Sequence, residues 1–223
     1  MSINIAIDGP AGAGKSTIAD RLAEKTGFIH VDTGALYRAM GLYMNRHEID
    51  VSDISAVRKA CENISIGIDY QDGVQIVLLN GENVNGLIRT EAVSQMASKI
   101  SAIPLVREHL LSLQQDIGRQ HNVIMDGRDI GTHVLPSADV KIFLTADPHV
   151  RALRRYEELT ARGEACSLEA IEQDIIERDY RDSHREAAPL RQAEDAVLVD
   201  TSCMDIDEVT DHIYSILKEM NVL

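Results

Sequence analysis

Short apolar runs alternate with helix-like segments along most of the chain. Five runs are predicted strands: Ile3–Ile7, Phe28–Val31, Val123–Met125, Val140–Leu144 and Ala196–Val199. Between the first two runs, Lys15–Thr26 repeats apolar residues at helical spacing, and Gly27 is expected to end that helix. Strands that alternate with helices predict an α/β fold, in which helices cover both faces of a parallel sheet.

Two stretches depart from this alternation. Residues 62–86 carry apolar side chains with a period of two, at Ile64, Ile66, Ile68, Val74, Ile76 and Leu78. A predicted turn at Gln71-Asp72-Gly73 separates the two halves of the pattern, which indicates a small antiparallel insertion. The second stretch, Arg162–Glu164, is polar and predicts a turn between two helices.

The composition fits one domain of moderate size with an insertion, because the chain has 223 residues, of which 44% are hydrophobic. Its formal charge, 22 − 36 = −14, repels nucleic acid, so we expect no DNA or RNA partner. A local arginine cluster can still bind a small phosphorylated ligand. Cys61, Cys166 and Cys203 lack metal-ligand spacing and are expected to be free thiols. Without a signal-peptide pattern or a membrane-spanning run, we expect a cytoplasmic protein with no membrane contact.

A glycine-rich segment follows the first predicted strand and opens the first predicted helix. It matches G-x-x-x-x-G-K-[S/T] and reads Gly9-Pro10-Ala11-Gly12-Ala13-Gly14-Lys15-Ser16-Thr17. Its backbone N–H groups are expected to surround phosphate oxygens, Lys15 to reach the β- and γ-phosphates of ATP, and Ser16 to ligate Mg²⁺. A chance match in a chain of this length has a probability on the order of one in a hundred. The segment therefore predicts a nucleotide phosphate site.

One helical stripe changes from apolar to ionic along its length. Its members step by three or four residues: Leu168, Ile171, Ile175, Arg178, Asp182 and Arg185. Because its apolar part faces the core, the ionic part is expected to face the interior or a cleft. The alternative is a solvated face of salt bridges, which normally lies opposite an apolar stripe.

A second basic region follows Asp147-Pro148, which predicts the start of a helix. The helix carries Arg154, and Arg151, Arg155 and Arg162 share one face of it. In a chain of charge −14 this face indicates an anionic partner such as ATP phosphates. A solvated basic helix end remains the alternative for each arginine.

Polar residues also follow two of the predicted strands. Thr33, five residues before Arg38, is a predicted helix cap. Its hydroxyl and the helix N-terminus could hold a second phosphate group, and a plain cap remains the default alternative. Asp126, Arg128 and Asp129 follow the strand Val123–Met125. Ligands bind beyond the carboxyl ends of strands in open parallel sheets, so these charges favour a site over a surface turn.

Together these segments resemble the bacterial-type cytidylate kinases over nearly the whole chain. The resemblance rests on I-D-G-P-A-G-A-G-K-S-T, D-T-G-A-L-Y-R, Asn80-Gly81-Glu82 to Arg89-Thr90, I-P-L-V-R, D-G-R-D-I-G-T, V-K-I-F-L-T-A and E-R-D-Y-R-D-S-H-R-E-A-A-P-L. It implies a P-loop NTPase-type parallel sheet flanked by helices, with an inserted acceptor-binding domain and a short lid. It also implies ATP-dependent phosphorylation of CMP and dCMP with Mg²⁺, and we expect a monomer.

The resemblance implies domains and residue roles. The core would comprise residues 1–34, 108–148 and 186–223, the acceptor region 35–107, and the lid with its arginine-rich helix 149–185. The implied acceptor-phosphate ligands are Thr33, Arg38 and Arg128. Cytosine would be read by Ser98, Arg107, Asp129 and Arg185, and the sugar by Arg178 and Asp182. Arg154 and Arg155 would close on ATP and join Lys15 and Arg128 in catalysis.

Two rival functions share the glycine-rich segment. A small GTPase normally carries an Asn-Lys-x-Asp motif, which this sequence lacks, and would not need two arginine clusters. A kinase for a hydroxyl-bearing metabolite would need a general base beside the acceptor, and Asp32 could serve as that base. The second rival therefore stays open at the level of sequence.

Overall fold

The structure is a computed structural model that describes residues 2–71 and 73–223. Its strands are β1 (Asn4–Asp8), β2 (Ile29–Asp32), β3 (Ile66–Gln71), β4 (Val74–Leu79), β5 (Glu82–Asn83), β6 (Val123–Gly127), β7 (Val140–Thr145) and β8 (Val197–Asp200). Its α-helices are α1 (Lys15–Thr26), α2 (Thr33–Arg46), α3 (Ile54–Glu62), α4 (Glu91–Ile100), α5 (Pro104–Gln120), α6 (Pro148–Ala161), α7 (Leu168–His184) and α8 (Ile206–Glu219). A short π-helix spans Ile130–Val134.

The main sheet has the strand order β2-β6-β1-β7-β8. The three pairs β6–β1, β1–β7 and β7–β8 are parallel, and Ala6 of β1 is aligned with both Met125 of β6 and Lys141 of β7. Each of the five predicted strands is found within one or two residues of its expected bounds. The predicted α/β fold with a mostly parallel sheet is therefore confirmed.

The chain divides into two compact units. The first contains the residues up to His30 together with His121–Leu223, and the second is Val31–Gln120. In the first unit, Ile5, Ile7 and Ile142 of the sheet pack with Leu22 of α1 and Ile213 of α8. This division by compactness does not test the functional division into acceptor region and lid, which stays a prediction.

The second unit contains the predicted antiparallel insertion. β3 pairs antiparallel with β4, with Ile66 opposite Leu79 and Gln71 opposite Val74. Asp72, part of the predicted turn, lies outside the described residues. In β4 the buried side chains are Val77 and Leu79. The sequence pattern instead marked Val74, Ile76 and Leu78, which lie on the opposite face, and Val74 is 61% exposed. The pattern was one position out of phase because β4 carries apolar residues on both faces.

Two smaller expectations are tested elsewhere in the fold. Gly163, in the predicted turn between α6 and α7, has φ = 76°, a conformation that favours glycine. All three cysteines are free thiols.

Across residues 2–71 and 73–223, no helix combines the length and apolarity needed to cross a bilayer.

Candidate active site

The glycine-rich loop runs between the end of β1 and the start of α1. Gly9 must lack a side chain, because a Cβ there would lie 1.9 Å from the carbonyl oxygen of Leu144 in β7. Gly14 precedes α1 with φ = 90° and supplies no capping side chain, so main-chain N–H groups remain available at this helix start. The loop therefore follows a strand and opens a helix, which is the context that the sequence motif requires.

Lys15 is buried, and its Nζ donates a hydrogen bond to the carbonyl oxygen of Pro10 at 2.7 Å. Burial lowers the pKa of Lys15 to about 7, and the nearby positive charge of Arg128 acts in the same direction. A phosphate placed against Nζ would oppose this shift. The amine is thus placed where it gains most from an anion.

A chain of polar contacts extends from the loop into the sheet. Ser16 Oγ donates to Asp126 Oδ2 at 2.9 Å, and Asp126 Oδ1 lies 2.7 Å from His30 Nε2. The other ring nitrogen, Nδ1, lies 2.5 Å from Asp20 Oδ1. Burial alone would lower the pKa of His30, but its hydrogen bonds to Asp126 and Asp20 outweigh burial and raise it to about 10. The imidazole is therefore a buried cation that holds Asp126.

Sequence reasoning placed Asp126 near a site but missed His30 and Asp20. The Ser16 hydroxyl and the Asp126 carboxylate are adjacent oxygen ligands of the kind that Mg²⁺ prefers, and Mg²⁺ usually keeps waters and substrate phosphates as its other ligands. Among the described residues, no group of three or more His, Cys, Asp or Glu side chains could hold a metal ion. The Ser16–Asp126 pair nevertheless fits a nucleotide-bound Mg²⁺.

We expect replacement of His30 by Phe to lower the free energy of unfolding by about 3 kcal/mol near neutral pH, because Asp126 loses its buried partner. The pKa of His30 is higher in the folded chain than its ordinary value of 6.5. Its contribution to stability is therefore complete below about pH 6.5 and is lost as pH rises through about 10. Urea unfolding at several pH values should show this decline in wild type, and His30→Phe should lack it.

The matched control is His121→Phe, because His121 is exposed. It should keep both the stability and the pH dependence of wild type. Equal pH dependence in wild type and His30→Phe would contradict the assignment of a buried imidazolium.

Charged side chains after β6 meet the ionic end of α7. Arg128 Nε donates to Asp182 Oδ2 at 2.8 Å, and Arg185 Nη2 lies 3.3 Å from Asp129 Oδ1. Burial would raise the pKa of Asp182, but the charges of Arg128 and Arg178 hold it below the ordinary value. The first unit therefore brings together the expected residues Arg128, Asp129, Arg178, Asp182 and Arg185.

The stripe along α7 faces inward, as the sequence indicates. Ile175 and Asp182 are buried, and Leu168, Ile171, Arg178 and Arg185 are partly buried. Because apolar and ionic members share one side of the helix, the alternative of a solvated salt-bridge face is wrong for this stripe.

Asp8, at the end of β1, supports the segment after Asp129. Its carboxylate accepts hydrogen bonds from the N–H groups of Ile130 and Gly131, each at 2.7 Å. Burial raises the pKa of Asp8 to about 6, and these two N–H groups oppose the shift. The start of the π-helix is thereby fixed to the strand that carries the phosphate loop.

The arginines of α6 have different environments. Arg151 is buried and donates to the carbonyl oxygens of Ala146 at 2.9 Å and Ala11 at 3.0 Å, and to Asp179 Oδ2 at 2.6 Å. Sequence reasoning grouped Arg151 with a basic face and missed this contact with the phosphate loop. The group of Arg151, Arg155 and Arg162 is therefore not a uniform basic face.

Arg154 and Arg155 lie beside each other on α6 but have separate partners. Arg154 donates to Thr201 Oγ1 at 3.1 Å and to the Thr201 carbonyl oxygen at 2.7 Å. Arg155 pairs with Glu158 at 2.8 Å, and Arg162 pairs with the same glutamate. Within the described residues, neither Arg154 nor Arg155 forms a hydrogen bond or ion pair with the phosphate loop, so a role on ATP would require new partners for both guanidinium groups.

The second unit holds the remaining expected site residues. The predicted cap of α2 was Thr33, and this is wrong: Asp32 is the cap, because its Oδ1 accepts from the N–H of Ala35 at 2.9 Å. Asp32 outcompetes Thr33 because a carboxylate one residue earlier reaches the free N–H groups of the first turn. Thr33 is buried as the first residue of the helix.

Arg38 folds back over the start of α2. Its Nη2 donates to Asp32 Oδ2 at 2.6 Å, while its buried Nε has no hydrogen-bond partner in the structure. Further along the same unit, Ser98 has a buried Oγ that also has no partner in the described part of the chain, and Arg107 donates to the Ser101 carbonyl oxygen at 3.2 Å. Buried polar atoms normally have partners, so Arg38 and Ser98 are suited to bind a ligand.

Known proteins resemble this chain over almost its full length. The family model described as cytidylate kinase matches residues 5–219. The chain is 50% identical over 207 residues to a cytidylate kinase of Caldicellulosiruptor saccharolyticus, with 93% of this chain and 92% of the relative covered. It is 47% identical over 219 residues to a cytidylate kinase of Ligilactobacillus salivarius, with 98% of both chains covered.

A solved structure shares the fold at low identity. The crystal structure of an uncharacterized protein from Eubacterium ventriosum matches with a TM-score of 0.52 and 13% identity, covering 98% of this chain and 99% of the other. That likeness concerns the fold alone. The family model and the two relatives, by contrast, cover almost the full chain, and they show that this chain belongs to the cytidylate kinase family.

Proposed function

We propose that this chain transfers the γ-phosphoryl group of ATP to CMP and dCMP, forming ADP and CDP or dCDP. The observation that carries the proposal is the presence of groups suited to two anions. The first unit has the phosphate loop with Lys15. The second unit has Arg38, whose buried Nε has no hydrogen-bond partner among residues 2–71 and 73–223.

ATP binding would rely on the residues of the loop, Gly9, Pro10, Ala11, Gly12, Ala13, Gly14, Lys15, Ser16 and Thr17. Main-chain N–H groups would hold the phosphates, and Lys15 would neutralise the β- and γ-phosphate oxygens. When bound, Mg²⁺ supplies charge neutralisation between those phosphates, and Ser16 would hold it. Asp126 accepts from Ser16 and so orients that hydroxyl.

The acceptor needs no general base in this reaction. Its phosphate monoester has a second pKa of about 6, so an oxygen nucleophile is already ionised at neutral pH. The chain must align two anions that repel each other, which favours arginines over a catalytic carboxylate. Thr33, Arg38 and Arg128 are the proposed ligands of the acceptor phosphate.

This reading is favoured over a kinase for a hydroxyl-bearing metabolite by the state of Asp32. That carboxylate would be the base, but it accepts from the Ala35 N–H and pairs with Arg38 at 2.6 Å. Both of its oxygens are therefore already engaged, one by the Ala35 N–H and one by the Arg38 guanidinium group. Asp32 is better suited to hold Arg38 than to remove a proton.

Recognition of the nucleoside would use charged and polar side chains. Ser98, Arg107, Asp129 and Arg185 are the proposed readers of cytosine, and Arg178 and Asp182 the proposed sugar contacts. Cytosine presents an amino donor where uracil presents a carbonyl acceptor, so a carboxylate favours cytosine. Asp129 is the proposed carboxylate.

An ADP-release assay across CMP, dCMP, UMP, AMP and GMP tests the proposed function. We expect CMP and dCMP to be used best, and the reaction to require a divalent cation. ADP release that is independent of every nucleoside monophosphate would contradict the proposal, as would a preference for a purine acceptor.

Replacement of Asp129 by Asn should reduce the CMP-over-UMP ratio of kcat/KM by roughly 10- to 100-fold, because a polar contact to a base edge is worth roughly 1–3 kcal/mol of discrimination. The loss should fall mainly on CMP. Steady-state kinetics with both acceptors at saturating ATP measures the ratio.

Asp116→Asn is the matched control, since Asp116 also pairs with an arginine but is exposed on α5. It should leave the ratio unchanged. An equal loss with CMP and UMP in Asp129→Asn would instead assign Asp129 to holding Arg185, its present partner at 3.3 Å.

A further inference from the structure

Gln75 is a polar residue on the buried side of a mostly apolar strand. It lies in β4, two residues before Val77 and four before Leu79, so its side chain is on the same face as these two buried residues. Gln75 itself is partly buried. A polar side chain at such a position requires hydrogen-bond partners, and their identity indicates its role.

Both partners of the Gln75 side chain belong to the main chain of one residue. The N–H of Asp32 donates to Gln75 Oε1 at 2.8 Å, and Gln75 Nε2 donates to the Asp32 carbonyl oxygen at 3.2 Å. The amide thus binds Asp32 as a neighbouring strand would, through one donor and one acceptor. Asp32 is held in an extended conformation, with φ = −74° and ψ = 93°, at the start of α2.

Asp32 in turn positions the proposed acceptor-phosphate ligands. Its carboxylate caps α2 through Ala35 and pairs with Arg38. Gly34 leaves room for the ion pair between Asp32 and Arg38, because a Cβ at position 34 would lie 3.0 Å from both Arg38 Nη1 and Asp32 Oδ1. Any rotation of Asp32 would therefore move Arg38, and it would shift Thr33, the next residue.

The main chain at Gln75 is fixed by a second side-chain amide. Asn85 Nδ2 donates to the Gln75 carbonyl oxygen at 2.6 Å, and the Val77 N–H donates to Asn85 Oδ1 at 2.8 Å. Gln75 is consequently held on one side by Asn85 and holds Asp32 on the other. The Asn85 amide thus fixes the main chain of β4, and the Gln75 amide connects β4 to the start of α2.

We propose that Gln75 is a positioning residue for the acceptor phosphate: the antiparallel sheet holds Asp32 through this amide, and thereby fixes Arg38 and Thr33. This inference rests on the proposed function, because it assigns the acceptor phosphate to Arg38 and Thr33. It gives the small sheet a role in substrate binding, although none of its side chains needs to touch the substrate.

Two replacements of Gln75 test the inference by steady-state kinetics and by calorimetric titration of CMP in the absence of ATP. Gln75→Leu removes both hydrogen bonds and should raise the KM and Kd for CMP about tenfold, while kcat and the KM for ATP change by no more than about twofold. Gln75→Glu keeps the acceptor atom but turns a carboxylate oxygen toward the Asp32 carbonyl oxygen, so its effect on CMP should be at least as large.

Gln71→Glu is the matched control, because it makes the same change at an exposed position of the same hairpin. It should behave as wild type. Arg38→Met tests the proposed acceptor site separately from the positioning role of Gln75, since it removes a proposed phosphate ligand directly. Thermal unfolding of each variant identifies any general loss of structure.

The outcomes distinguish a positioning role of Gln75 from a purely structural one, and both from an error in the proposed acceptor site. If Arg38→Met weakens CMP binding and the Gln75 variants do not, the positioning role is wrong and the proposed function stands. If neither Arg38→Met nor the Gln75 variants weaken CMP binding, the proposed acceptor site itself is wrong. If the Gln75 variants raise the KM values for ATP and CMP equally or unfold at much lower temperature, Gln75 has only a structural role.

Discussion

Replacement of Lys15 by Ala should reduce kcat by at least about 10³-fold, because the amine neutralises phosphate oxygens whose charge changes during transfer. The structure adds an expectation about stability. Burial lowers the pKa of Lys15 to about 7, so the charged amine opposes folding at neutral pH. The free energy of unfolding of Lys15→Ala should therefore be no lower than that of wild type, despite the loss of activity.

Initial rates of ADP formation and urea unfolding of the same preparation measure the two quantities. Lys59→Ala, at an exposed position of α3, is the control and should change neither. Retention of more than about a tenth of the wild-type kcat by Lys15→Ala would contradict its placement on the transferred phosphate.

The second large effect is expected in α6. Arg154→Ala and Arg155→Ala should each lower kcat by about 10³-fold with little change in the KM for CMP, since an arginine on the transferring group acts mainly in the transition state. Their present contacts with Thr201 and Glu158 imply that both guanidinium groups must exchange partners to reach ATP. Single-turnover measurements at saturating substrates report this step.

Arg119→Ala is the matched control, because Arg119 forms an exposed ion pair one helical turn from its partner Asp116, as Arg155 does with Glu158. It should retain full activity. Normal turnover by both α6 variants would show that Arg154 and Arg155 are structural and surface residues and that the lid assignment is wrong.

The parts of the fold that depend on local pattern were predictable. Lys15–Thr26 is helical at the predicted bounds because its apolar spacing, the preceding glycine loop and Gly27 all act within the segment. The inward stripe of α7 was also predictable, since a single helical periodicity links Ile175 to Asp182. Local periodicity determines which side of an element is buried whenever only one side is apolar.

Where both faces are apolar, or where partners are distant in sequence, the same reasoning fails. β4 is apolar on both faces, so its pattern did not indicate that Val77 and Leu79 are the buried pair. His30 and Asp126 are separated by 96 positions, and no spacing rule connects them. Their only signal was a histidine inside an apolar strand, which is compatible with several environments.

For the candidate site, the sequence indicated the residue types but not their partners. The contact of Arg151 with the loop and that of the Gln75 amide with Asp32 both depend on tertiary structure. These residues act through other residues, and their roles therefore leave little trace in any short motif.

Arg151 restricts how the first unit can open locally. Its guanidinium group joins the segment after β7, the phosphate loop and α7 through three separate hydrogen bonds. A lysine could not replace it, because an ammonium group lacks the planar fork needed to reach all three partners. Fraying at the start of α6 would release the Ala11 carbonyl at the same time, so we expect these segments to unfold locally as one cooperative unit. We therefore expect the phosphate loop not to open independently, because a helix that is remote from it in the sequence holds its main chain.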